Sequence, residues 1–289
     1  MLFVLIGIVD FIVSSSLMFL NILLLMTIRV YKEYNTGTYR IIRHICVSCI
    51  IQLIPFVVGG IMTICNSIFN YYLERVLGVI VESGWFLYMG LSLTLAVDRF
   101  ILMVASKQTQ LRSFISTVLI IASWALWLAS VVVLCLPNFG YVYQNVLGWT
   151  FDRNLAGAIV MASVEFWLDM GAVIIVLLIY LSVSVHFLKL RHLSSGQSTH
   201  SMVEMRILLV AVITFIYETC FLILSFWFPA IFIDNRHTRV VLNMLWIVDC
   251  GVFAVVTVLI NGKLRRRMSD VLLRRKKIVV FIVTVKLVS

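Results

Sequence analysis

Apolar residues in this chain are gathered into seven long runs, each closed by a short polar interval, rather than alternating with polar ones. The runs fall at about 2–30, 39–65, 74–104, 113–136, 155–188, 202–233 and 239–261. Each meets or exceeds the roughly 20 apolar residues that a helix needs to cross the ~30 Å hydrocarbon core of a bilayer. Within lipid every backbone polar group must be satisfied internally, so spanning segments are helices or closed barrels. Continuous runs of this length predict helices, not the ~10-residue alternating strands of a barrel. The expected fold class is an all-α membrane protein, a seven-transmembrane helix bundle. The first run is too long for a signal-peptide core and no small-residue cleavage site follows it, so it reads as a mature span. Seven such helices nearly exhaust the 289 residues. The expected division is a bundle over 1–262 and a cytoplasmic amphipathic helix and tail over 263–289.

Composition strengthens this reading. The chain is 62% hydrophobic and 12% charged, against roughly 45–50% and about 25% in a soluble domain. Its net charge of +10 does not point to nucleic acid, because the basic residues flank apolar runs as membrane-anchoring charge does. With the amino terminus outside, inside-facing segments hold Arg29, Lys32, Arg40, Arg43, Arg99, Lys107, Arg112, Lys189, Arg191 and Arg206, and the tail adds nine more. Outside-facing segments keep Arg75, Arg153, Arg236 and Arg239. This positive-inside bias and an odd number of spans put the carboxyl terminus inside.

The intervals carry no N-x-S/T acceptor, and 193–201 reads as a flexible polar loop. Past Asn261, Leu264, Met268, Val271 and Leu272 share one helical face and the basic residues the other. That pattern predicts a short helix on the cytoplasmic leaflet, held by apolar contact and anionic lipid. The apolar tail 278–289 is too short to span. The six cysteines lie within or at the ends of apolar runs and read as small buried hydrophobes.

The inner end of the third run ends Ala96-Val97-Asp98-Arg99-Phe100. An acidic-Arg-aromatic triplet there resembles the signature of rhodopsin-like G-protein-coupled receptors. The resemblance implies an arginine held by its neighbouring carboxylate at rest and offered to a heterotrimeric G protein when the helices part. A snorkelling boundary arginine is the plainer alternative. Asn21 matches the family's first-span asparagine, Trp127 with Pro137 its fourth-span pattern, and Trp227-Phe228-Pro229 the Trp-x-Pro of its sixth span. The proline implies a kink, since it removes a backbone bond. Asn261-Gly262-Lys263-Leu264-Arg265 is similar to the start of the family's cytoplasmic surface helix.

Departures from the family are as informative. The second-span aspartate position falls near Ser48 or Cys49, and the seventh-span Asn-Pro-x-x-Tyr position on Phe253-Ala254-Val255-Val256-Thr257. The outer third-span cysteine position falls on Glu74 and the second outer loop has no cysteine, so the usual disulfide cannot form; Cys65 with Cys135 is a substitute pairing. Such erosion, with Gly59-Gly60-Ile61-Met62-Thr63-Ile64 and Glu82-Ser83-Gly84-Trp85, resembles nematode serpentine chemoreceptors of class T or X. No lysine stands mid-span in the seventh run to hold retinal; Lys263 is at its inner end. No cofactor is expected.

Carboxylates inside a span are costly and are functional candidates. Asp10, Glu82, Glu165, Asp169, Glu218 and Asp249 qualify. Glu82, Trp85, Tyr88, Glu165, Asp169 and Trp246 are the candidate small-molecule pocket. Glu165 and Asp169 are four apart on one helical face. Asp249 is expected near Trp227 as an internal polar hub, a sodium or proton site replacing the lost second-span carboxylate. With Trp227 and Pro229 it forms the expected conformational switch. Each carboxyl could equally be neutral with a packing role. The leading function is a chemosensory receptor in the plasma membrane or a sensory cilium. The alternative is a transporter or ion channel using the same carboxylates, although no inverted repeat appears. No G-x-S-x-G, H-E-x-x-H or histidine cluster suggests an enzyme.

Overall fold

The computed structural model describes residues 2–104, 109–144, 147–193, 199–231 and 236–273. Seven helices in it are long and apolar enough to cross a membrane. They are α1 (Leu2–Val30), α2 (Gly37–Cys65), α3 (Tyr71–Val104), α4 (Thr109–Leu134), α5 (Ala156–Leu193), α6 (Thr199–Ile231) and α7 (Arg236–Ile260), followed by a short α8 (Gly262–Leu272). The expected spans and the observed helices agree to within a few residues at most ends, the reach of a hydrophobic pattern that does not encode caps. Lys107 and the tail 278–289 lie outside the described residues, as does most of the loop expected at 193–201.

Polarity runs opposite to that of a water-soluble bundle. On α1 the apolar Leu5, Ile12 and Phe19 are more than half exposed, whereas Asp10, Ser14 and Asn21 are buried. Hydrocarbon can cover the first set but cannot hydrogen-bond the second. Small residues let the helices close up. A Cβ on Gly7 would stand 2.7 Å from the Gly60 carbonyl oxygen, and one on Gly60 2.8 Å from the Phe11 nitrogen. The α1–α2 crossing therefore depends on both glycines. Asn21 ties α1 to α7 by donating to the Cys250 carbonyl at 3.1 Å.

Helices alternate in direction, so the bundle has an amino-terminal face and an opposite face that carries α8. Between α4 and α5 the amino-terminal face holds a hairpin, β1 (Tyr141–Gln144) and β2 (Gly148–Phe151), antiparallel with Tyr141 opposite Phe151 and Tyr143 opposite Trp149. These four rings point inward and are buried, as period-2 alternation allows. Strands of four residues are too short to be legible as a run. The hairpin is pressed against α3 at Gly78, where a Cβ would collide with the Tyr141 carbonyl oxygen; only glycine fits there.

At the other face, Asn261 caps α8 by accepting from the Leu264 backbone N–H at 3.2 Å. Leu264, Met268 and Val271 are buried against the bundle, whereas Leu272 is exposed. The apolar face of α8 is thus covered by protein, not left for the leaflet as the pattern predicted. Amphipathicity reports an apolar neighbour without saying which. Glu33, in the 3-10 turn Lys32–Tyr34 after α1, pairs with Lys263 at 2.7 Å and Arg267 at 3.1 Å. The Lys263 contact chiefly holds the Glu33 carboxyl below its ordinary range.

Candidate functional site

Two sites stand at opposite ends of α3. At the α8 face, Asp98 and Arg99 are both buried. Arg99 Nη2 donates to Asp98 Oδ2 at 2.8 Å and to the Thr38 hydroxyl. The α4 residue Arg112 grips the same carboxylate with both ends of its fork, Nε to Oδ1 at 2.8 Å and Nη2 to Oδ2 at 2.9 Å. Thr38 donates to Oδ2 at 2.9 Å while accepting from Arg112 at 2.7 Å, and Ser116 donates to Oδ1 at 3.3 Å. One carboxylate thus joins α2, α3 and α4 through charge-assisted hydrogen bonds, the strong kind. Phe100 is half-buried beside it, against the core. Sequence reading found Asp98, Arg99 and Phe100 but counted Arg112 only as boundary charge. Its position in the first turns of α4 was the available signal, and the contact depends on how α3 and α4 cross.

At the amino-terminal face a cavity of about 650 Å³ lies between α3, α5, α6, α7 and the hairpin. Trp85, Glu165 and Trp246, all expected in a pocket, line it, with Tyr141, Trp149, Phe151, Phe166, Phe221 and Phe226 adding aromatic wall. Trp85 crosses Trp246 edge-on at 5.9 Å and Phe221 at 5.7 Å. The Trp246 indole donates to Gln52 at 3.0 Å, which fixes the ring. Arg153, Arg239 and Asn243 also line the cavity.

Glu82 and Asp169 stand behind this wall. The Trp85 indole donates to Asp169 at 3.1 and 3.3 Å. Glu82 is fully buried; the Tyr141 hydroxyl, within hydrogen-bonding reach, and the carboxyls of Asp169 and Glu165 are its polar neighbours. The Tyr141 hydroxyl is pushed well above its ordinary pKa, chiefly by burial and then by these carboxyls. Glu165 keeps some exposure through the cavity, consistent with its place on the lining.

Tyr88 stacks beneath Trp85 at 5.8 Å and is buried outside the lining, so it supports the floor. Deeper, Asp249 is buried beside Glu218, and Ser92 donates to Glu218 at 3.2 Å. On α1, Asp10 accepts from Asn243 at 3.1 Å. Among the described residues no three His, Cys, Asp or Glu side chains converge to hold a metal ion.

The expected switch is not assembled. Trp227 is 44% exposed and packs on Phe166 and Phe226 near the end of α6. Asp249, on α7, instead neighbours Glu218 of α6, which lies nine residues before Trp227 and thus about 13 Å from it along the α6 axis. Pro229 stands two residues before the end of α6 at Ile231, so a kink there would redirect only the last half-turn; its side chain lies outside the described residues. The motif matched in spelling but not in depth. The buried proline well inside a helix is Pro55 of α2.

The structure also answers the missing disulfide. Glu74, at the expected cysteine position, accepts from the Tyr143 backbone N–H at 2.8 Å, and the Tyr143 hydroxyl shares a 2.8 Å hydrogen bond with Thr63. Polar tethers hold the hairpin at the position where the family resemblance would place a covalent one. Cys65 and Cys135 are free and exposed, as is Cys220, so the substitute pairing is not formed. Cys46 and Cys49, a C-x-x-C spacing on α2, are free and buried.

No family model matches the chain, and no curated protein matches it. Among solved structures, the crystal structure of squid rhodopsin superposes with a TM-score of 0.74 at 16% sequence identity, over 95% of this chain and 86% of that one. At such low identity the likeness speaks for architecture. The chain is a multi-pass membrane protein with the rhodopsin-like seven-helix fold.

Proposed function

We propose that the chain is a G-protein-coupled receptor with its amino-terminal face outside and its α8 face in the cytosol. The observation that carries this reading is the buried Asp98–Arg99–Arg112 cluster at the α8 end of a rhodopsin-like bundle. A ligand in the outer cavity favours one of two helix arrangements. Parting the helices breaks the hold of Asp98 and presents Arg99 to a heterotrimeric G protein. The eroded motifs and the cavity size fit a chemosensory receptor for a small molecule, similar to nematode serpentine receptors, in the plasma membrane or a sensory cilium. Asp249, beside Glu218, is the polar hub of the bundle; sodium and pH dependence unaltered in Asp249→Asn would remove it from that role.

The test is agonist-stimulated nucleotide exchange on a reconstituted heterotrimer. Arg99→Ala is expected to abolish exchange while surface expression is spared. Full exchange by the variant contradicts the mechanism. Buried carboxyls from Glu82 to Asp249 also suit a transporter or channel. Ligand-gated current in cells lacking G proteins would favour that second reading.

A further inference from the structure

We propose that the cleft between α1, α2 and α4 at the α8 face holds a phospholipid of the inner leaflet whose headgroup carries clustered phosphates. This goes beyond the receptor reading and rests on it only for placing that face in the cytosol.

Arg40, Arg43 and His44 stand at i, i+3 and i+4 near the start of α2, so they share one helical face. All three are half-buried. A neighbouring helix bounds each edge of that face. On the α4 side, Arg40 Nη2 donates to the Thr117 hydroxyl at 2.7 Å and to the Ser113 carbonyl at 3.4 Å. The Trp124 indole of α4 donates to His44 Nδ1 at 3.2 Å. On the α1 side, Arg29, exposed in the last turn of α1, is a charged neighbour of His44 together with Arg40 and Arg43. Guanidiniums from two helices thus gather around one imidazole. Because Nδ1 accepts, the neutral ring carries its hydrogen on Nε2, which adds a donor to the cleft.

No carboxylate answers this charge. Among the described residues the ion pairs are made by Asp98 and Glu33, and none involves Arg29, Arg40 or Arg43. Arg40 Nε is enclosed without a partner. Cations held at a lipid boundary without an anion are costly. A guanidinium fork grips a phosphate with two parallel hydrogen bonds. A headgroup with one net negative charge answers one arginine; clustered phosphates answer them all. An arginine that only snorkels reaches the interface singly, whereas these converge, and Arg40 is tied to α4. Met26, one turn before Arg29, and Ile121, one turn after Thr117, are exposed apolar residues on which acyl chains can lie.

The experiment titrates the full chain in detergent, without G protein, and counts bound lipid by native mass spectrometry. The probes are phosphatidylinositol bisphosphate, phosphatidylserine and soluble inositol trisphosphate. The bisphosphate lipid is expected to bind about tenfold or more tightly than phosphatidylserine. Arg29→Gln/Arg43→Gln should lower its affinity about tenfold or more. Arg265→Gln/Arg266→Gln, which removes the same charge from the exposed face of α8, should leave it nearly unchanged. An equal loss in the α8 variant, or equal binding of phosphatidylserine, means diffuse attraction and overturns the proposal. Soluble headgroup binding as tightly as the lipid assigns the cleft to a free phosphate compound and overturns it too. If the α1–α2 variant fails to fold, the comparison of probes on the intact chain decides alone. Because no G protein is present, this failure is distinct from retained exchange in Arg99→Ala, which would instead defeat the receptor reading.

Discussion

The two ends of α3 solve opposite problems. At the α8 end a single carboxylate, Asp98, is matched by two guanidiniums and two hydroxyls. At the other end Glu82 is as deeply buried, yet its polar neighbours are the Tyr141 hydroxyl and the like-charged carboxyls of Asp169 and Glu165. Sixteen residues, about 24 Å of helix, separate them. A saturated cluster resists rearrangement until something displaces its members; an unsatisfied one gains when a partner arrives. On the proposed receptor reading the first would serve as a latch and the second as part of the ligand pocket, on one rigid element that can carry strain between them.

The contrast can be broken most severely at Asp98. Asp98→Ala leaves two arginines, one fully buried, without their anion. Removing one partner of a buried pair costs about 3–5 kcal/mol, so thermal unfolding in detergent should shift down markedly, and surviving protein should show raised basal nucleotide exchange. An unchanged melting temperature with unchanged basal exchange would deny the latch. A smaller effect is expected at the cavity roof. Glu74→Ala removes the acceptor of the Tyr143 N–H, with a penalty of about 1–3 kcal/mol for the stranded donor. Hydrogen exchange across Tyr141–Gln144 should accelerate, and Glu74→Gln, which keeps an acceptor, should restore most of the protection. The smallest effect is at α8. The folded pKa of Glu33 is lowered, so its stabilising pairing is present above the ordinary carboxylate value of 4.5 and is lost as pH falls through the depressed folded value. Glu33 is partly exposed, so the loss is small and salt-sensitive. Proteolysis at α8 should rise below that value in wild type, with a weaker pH dependence in Glu33→Gln.

Much of the bundle could be read from the chain because lipid imposes a one-dimensional rule: apolar runs of sufficient length become spans. Asp98 and Arg99 were legible for a related reason, since charge at a span's end is conspicuous. Arg112 was not, because its role depends on a helix crossing. The hairpin was hidden by the shortness of its strands, and Glu74 stood out only as a missing cysteine. The reading of Trp227-Phe228-Pro229 erred because a three-residue spelling does not encode depth, whereas the exposure of Trp227 and the end of α6 at Ile231 do. Trp246, named as a pocket residue, does stand at the centre of the aromatic wall, where an indole held by Gln52 is far from any motif.

If pocket and latch are two ends of one equilibrium, thermodynamic linkage makes their coupling directly measurable. The affinity of a cavity ligand for the reconstituted chain should be determined with and without nucleotide-free heterotrimer. The heterotrimer is expected to tighten ligand binding by about 5–150-fold, and Arg99→Ala to remove the increment. Ligand affinity indifferent to the heterotrimer in the intact chain would contradict it.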